Sequence, residues 1–168
     1  MKLQVGQNAP EFTIPDQDNK QHTLSEYGGK WVFLYFYPED DTPGCTVEAC
    51  SVRDNWAEFT KKGIQVFGIS GDSLESHVTF REKYSLPFTL LSDPDKKVMT
   101  EYGAFGEKNM YGKMVIGVIR SSFLIDPQGK ITKIYPRVKT PTHIAQVVKD
   151  LEKFLNYELL CNCSIFTI

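Results

Sequence analysis

The chain is short of several things that would decide its class at once. It has no basic excess: 19 Lys and Arg stand against 21 Asp and Glu, a formal net charge of -2. Nucleic acid and anionic membrane surfaces are therefore not expected partners. No apolar run reaches the length of a membrane span, and Met1 to Gly6 lacks the apolar core of a signal peptide, so a cytoplasmic protein is expected. Four cysteines are too few for a disulfide scaffold, and 168 residues do not need one to close a core. The phosphate-loop pattern, internal repeats and linkers are missing as well. The three histidines, His22, His77 and His143, sit in unrelated segments, none close in sequence to a cysteine.

What is present is an ordinary globular composition, 41% hydrophobic and 24% charged. The pattern along the chain is that of an α/β fold. Phe12-Thr13-Ile14 and Gln21-His22-Thr23-Leu24 flank the polar turn 15–20 and predict a β-hairpin. Trp31 to Tyr37 is unbroken apolar sequence of strand length, which predicts a strand covered on both faces. Pro43 suits a first helical turn with Thr42 before it as the cap, and the helix is expected to run to about Lys61 and stop at Gly63.

Ile64 to Ser70 follows as a strand, which makes a strand–helix–strand unit and implies parallel pairing. A helix from Asp72 to about Tyr84, a short strand at Phe88 to Leu91 and a brief helix from Asp93-Pro94 through Tyr102 come next. Gly103 to Gly117 has no clear period and is expected to be loop. Arg120–Ile125 and Ile131–Tyr135 bracket the turn 126–130 as a second hairpin. The last helix starts at Thr140-Pro141 and repeats Ile144, Val147, Val148, Leu151, Phe154 and Leu155 at helical spacing.

The chemistry concentrates at Pro38-Glu39-Asp40-Asp41-Thr42-Pro43-Gly44-Cys45-Thr46-Val47-Glu48-Ala49-Cys50. Cys45 falls where a buried strand ends and a helix begins. Unpaired amides and the positive end of the helix dipole favour thiolate there, and the thiolate is the nucleophile. Thr42 brings a hydroxyl three residues before the sulfur, able to donate to or accept from a polar substrate. Pro38 ends the strand and walls off solvent. Glu48 is placed either to complement the helix dipole or to reach the site.

Pro38-x-x-x-Thr42-x-x-Cys45 resembles the signature of peroxiredoxins, the thiol peroxidases. Thr42-Pro43-Gly44-Cys45-Thr46-x-Glu48 with Cys50 behind it is similar to the Q-type subgroup, also called bacterioferritin comigratory protein. The resemblance covers Leu3 to Leu155. It implies a thioredoxin-like fold, a mixed central sheet flanked by helices with an N-terminal β-hairpin. It further implies Cys45 as peroxidatic thiol, Thr42 orienting the peroxide, Pro38 shielding, and Arg120 as the guanidinium facing the sulfur. By the same resemblance Cys50 is the resolving thiol, forming a Cys45–Cys50 disulfide that thioredoxin or a similar dithiol reductant restores. Peroxide is the expected substrate. No cofactor or metal is called for, and a monomer is expected.

Five residues along a helix place Cα atoms roughly 8–9 Å apart, whereas a disulfide needs less than about 7 Å. The pair can bond only if the helix start unwinds. Two rival readings stay open on the residues alone. One is a general dithiol–disulfide oxidoreductase, which predicts Cys-x-x-Cys rather than the spacing here; the other is a metal- or redox-sensing protein. Residues 1–155 are expected to form the domain and 156–168 an apolar tail. Its Cys161-x-Cys163 is open to reading as packing, an auxiliary dithiol or a soft-metal site.

Overall fold

The computed structural model describes residues 2–163, with side chains through Cys161. Alternation along one strand organises the molecule. β1 (Thr13–Pro15) and β2 (Gln21–Thr23) pair antiparallel as the expected N-terminal hairpin. β3 (Val32–Phe36) is buried at every residue. β4 (Gln65–Ser70) and β5 (Thr89–Ser92) extend the sheet in parallel on one side. β8 (Ser121–Ile125) and β9 (Ile131–Tyr135) extend it antiparallel on the other, giving the order β5-β4-β3-β8-β9.

Successive β3 side chains point to opposite faces. Trp31, Phe33, Tyr35 and Tyr37 enter one core with α1 (Pro43–Asp54), α2 (Trp56–Lys61), α3 (Leu74–Tyr84) and α5 (Thr140–Cys163). Val32, Leu34 and Phe36 enter the other, beneath Phe12, Leu24 and α4 (Lys97–Glu101). A strand that must supply two cores has no polar residues to spare, which is why this run is apolar throughout.

Four stretches depart from expectation. The helix from Pro43 is not continuous to Lys61. It breaks at Asn55, whose side-chain amide donates to the Ser51 carbonyl at 2.8 Å and whose backbone sits at φ -102, ψ 12. Asparagine offers the backbone a partner outside the helical ladder. α3 begins one residue later than expected: Ser73 is its cap, accepting from the Ser76 amide, while Asp72 serves elsewhere.

Residues 103–117 are not loop. β6 (Phe105–Met110) and β7 (Lys113–Val118) form a hairpin around Tyr111-Gly112, both at positive φ as a two-residue turn of that handedness requires. Met114 and Ile116 are exposed on it, so the strand pattern of one buried and one wet face was never written into the sequence. α5 is longer than its apolar repeat: it passes Leu155 without a break and runs to Cys163, the last described residue, exposing Tyr157 and Leu159. Cys161 is exposed and free. The Cys163 side chain lies outside the described residues, as do residues 164–168.

Among the described residues, no helix is long and apolar enough to cross a membrane.

Candidate active site

The segment between β3 and α1 is held from three directions before it reaches the cysteine. Asp40 accepts from the Tyr37 hydroxyl at 2.6 Å, from the Ser76 hydroxyl at 2.8 Å, and lies 2.7 Å from Nδ1 of fully buried His77. The other nitrogen of His77 meets the Leu91 carbonyl at 3.1 Å. The Asp40 amide donates to Asp72 at 2.9 Å, which also accepts from Ser70. Asp41, in the left-handed region at φ 57, receives Lys83 and the Tyr84 hydroxyl at 2.6 Å each. The turn after β3 is thereby tied to α3 and to the ends of β4 and β5.

Thr42 then occupies the cap position of α1 with extended backbone, and Pro43 is the first helical residue. Contrary to expectation, the Thr42 side chain does not cap: its hydroxyl donates to the Glu39 carbonyl at 2.9 Å. Its proton is committed, so toward a ligand the oxygen is an acceptor. The Thr46 amide bonds back to the Thr42 carbonyl, leaving the Gly44 and Cys45 amides ahead of the helical ladder.

Cys45 is 1% exposed. Arg120, in the two-residue crossing between β7 and β8, reaches over Gly44 and donates from Nη2 to Cys45 Sγ at 3.2 Å. The residues are 75 positions apart. Position 44 is tight against the guanidinium: a Cβ there would lie 3.3 Å from Nη2, so Arg120 would have to give by a few tenths of an ångström. From Nη1 the same guanidinium donates to Oε2 of Glu48 at 2.7 Å. Glu48 is wholly buried, and its Oε1 has no hydrogen-bond partner among the described residues. Burial pushes its carboxyl up to about 7 even with Arg120 opposing.

Beneath lies Tyr35, whose hydroxyl is likewise without a partner among the described residues. Burial first, then the charges of Glu48 and Cys45, drive its phenol well up, so it stays protonated. His143 of α5 meets the Ser122 hydroxyl at 2.6 Å, and burial, with Arg120 nearby, pushes it down to about 4.

Pro38 is itself exposed and borders a groove of about 360 Å³ with Val118, Arg120, Arg137 and Val138. A second groove of about 510 Å³ runs from Gly44 and Arg120 to the start of α5. Both open at the guanidinium, so a small molecule entering either meets Arg120 before the sulfur.

Cys50 lies five positions along the same unbroken stretch of α1 and is half-buried; both thiols are free. The structure thus brings Cys45, Arg120 and Thr42 to one place and leaves Cys50 along the helix. Sequence reasoning left Glu48 undecided; its spacing of three from Cys45, one helical face, was the available signal. Tyr35 was read as core packing only. Asp40 and His77 had no signal, being partners 37 residues apart.

Comparison with known proteins agrees with this geometry. Residues 5–134 match the AhpC/TSA family model. The chain is 50% identical over 151 residues to a putative peroxiredoxin bcp of Coxiella burnetii, covering 90% of this chain and 100% of that one. It is 48% identical to peroxiredoxin Bcp of Escherichia coli, covering 90% and 97%. Among solved structures, a Xylella fastidiosa PrxQ mutant superposes with TM-score 0.86 at 32% identity, covering 92% and 99%. A Xanthomonas campestris bacterioferritin comigratory protein gives 0.81 at 36%, covering 85% and 91%. The chain belongs to the AhpC/TSA family: it is a peroxiredoxin of the Bcp/PrxQ kind, a thiol peroxidase with a thioredoxin-like fold.

Proposed function

We propose that this peroxiredoxin reduces hydrogen peroxide and organic hydroperoxides through Cys45, and that Cys50 and a thioredoxin-type dithiol return it to the reduced state. The Cys45 thiolate attacks the terminal peroxide oxygen. The S–O bond forms as the O–O bond breaks, giving Cys45 sulfenic acid and, after one proton is taken up, water or an alcohol. The observation that carries this reading is the 3.2 Å contact from Arg120 Nη2 to Cys45 Sγ. A guanidinium there stabilises negative charge on sulfur before attack and on the leaving oxygen after it. Thr42, its own proton given to Glu39, is suited to accept the peroxide O–H and so present the oxygen to sulfur. Pro38 forms part of the rim. The inclusion of organic peroxides is supported by the X. campestris relative, whose structural study concerns alkyl peroxide reduction.

The sulfenic acid then condenses with the Cys50 thiol, expelling water and forming the Cys45–Cys50 disulfide. With both residues inside α1 the sulfurs cannot meet until the first turns of that helix unwind. Trp56, at the start of α2 and packed on Phe88, is placed to register the change by fluorescence.

The test is peroxide turnover with thioredoxin and its reductase. Cys45→Ser is expected to abolish turnover and the single-turnover oxidation. Cys50→Ser is expected to keep one rapid oxidation of Cys45 per chain and lose recycling. Full thioredoxin-coupled turnover by Cys50→Ser would overturn the resolving role, and rapid oxidation of Cys45→Ser would overturn the whole scheme.

A further inference from the structure

Two acids share one cation in this site. Arg120 donates from Nη2 to Cys45 Sγ and from Nη1 to Glu48 Oε2, and both acids are buried. Among the described residues, the groups facing Glu48 from the packed elements supply no second positive charge. From β3 comes the neutral Tyr35 phenol, which also feels Asp40, and Asp40 is already bound to His77. From α5 comes His143, held neutral near pH 7 by burial. An ionised carboxylate with one bare, buried oxygen is expensive, and more so with a thiolate competing for the cation it is bonded to. Glu48 Oε1 is that bare oxygen.

We infer that Glu48 is the proton reserve of the peroxidatic site, holding a proton while Cys45 is thiolate and releasing it as the sulfur is oxidised. Glu48 acts through the guanidinium it shares and is a positioning residue, not one that touches the peroxide. The step balances: Cys45–S⁻, H₂O₂ and Glu48–COOH give Cys45–SOH, H₂O and Glu48–COO⁻. One S–O bond forms, the O–O bond breaks, and the proton lost by the carboxyl equals the one gained by the leaving hydroxide. Before the step Arg120 balances the thiolate; afterwards it balances the carboxylate. The buried site stays neutral throughout, which is the physical advantage of the arrangement.

The pH window follows from the sign of the shift. Facing a neutral sulfur, Glu48 loses its proton above about 7, whereas a neighbouring thiolate moves that loss higher still. At pH 8 oxidation therefore releases the Glu48 proton. At pH 6 the carboxyl keeps it, and the leaving oxygen is protonated from bulk water.

The inference rests on the Cys45 reading, and the experiment separates the two. Full-length Cys50→Ser protein is mixed with one equivalent of H₂O₂ in weak buffer containing a pH indicator, and proton uptake is followed beside Cys45 oxidation. At pH 8 uptake is expected to fall well below one proton per sulfur oxidised. Adding Glu48→Gln should raise it to about one, with Glu48→Asp restoring part of the reserve. Should Glu48→Gln not fold, the Cys50→Ser protein alone decides, because its uptake is expected to climb toward about one proton between pH 8 and pH 6. Uptake of one proton at both pH values overturns the inference while leaving Cys45 as the reactive thiol. Absence of rapid oxidation overturns the Cys45 reading and this inference with it.

Discussion

Replacing Gly44 by alanine should slow the protein, with opposing effects on its stability. Gly44 is the second residue of α1 with ordinary helical backbone, so alanine is free of conformational strain. Reduced freedom of the unfolded chain alone would favour the folded state by about 0.5 kcal/mol, about 1–2 °C in Tm for a domain of this size, an effect that a strained Arg120 opposes. The new methyl, however, would stand 3.3 Å from Nη2 of Arg120, the nitrogen that donates to Cys45. Either the guanidinium shifts by a few tenths of an ångström or α1 does, and a charge-assisted hydrogen bond is sensitive to both. If half of a bond worth about 1.5–3 kcal/mol is lost, the rate falls roughly three- to tenfold. Single-turnover oxidation by stopped-flow fluorescence measures the rate, and calorimetry the stability. A variant with raised Tm and unaltered oxidation rate would refute the reasoning, because the guanidinium would then not need its seat on Gly44.

Gly68→Ala should be costly for a different reason: its Cβ would fall 2.7 Å from the Tyr35 hydroxyl and 3.0 Å from Leu90, in a core with no slack. A loss of about 1–3 kcal/mol by denaturant titration is expected, accompanied by slower oxidation because Tyr35 lies under Glu48. His143, at 6.5 unfolded and about 4 folded, is bound neutral. Its contribution is fully present above pH 6.5 and is lost as pH falls toward 4, since the unfolded chain takes up its proton first. The whole is worth about 3 kcal/mol, and the His143→Gln variant should show a correspondingly flatter Tm between pH 6.5 and 4. Asp40→Ala removes the partner of a fully buried histidine and should cost about 3–5 kcal/mol, read as a fall in Tm.

The parts legible in the sequence were those whose pattern is local. Trp31 to Tyr37 announced a strand between two cores because every residue of it is apolar, and Cys45 announced itself by sitting behind Thr42-Pro43-Gly44. The hairpin at 105–118 was hidden since neither of its faces is consistently buried and its turn is Tyr-Gly, not the commoner Asn-Gly. The break at Asn55 depends on one side chain turning back to Ser51, which periodicity does not record. Arg120 was found through family likeness, for nothing in its own neighbourhood distinguishes it from a surface arginine. The pairings of Asp40 with His77 and Glu48 with Arg120 exist only once the chain is folded.

The fastening of Asp40 and Asp41 has a mechanical consequence. Asp40 and Asp41, just before Thr42, are pinned to α3 and the sheet, so in the proposed cycle any unwinding of α1 that lets the sulfurs join would begin downstream, at Pro43 and beyond. In the proposed cycle Thr42 would then keep its place throughout. The proposed resolving step would then open and close one side of the site while leaving the threonine oxygen in position for the next oxidant.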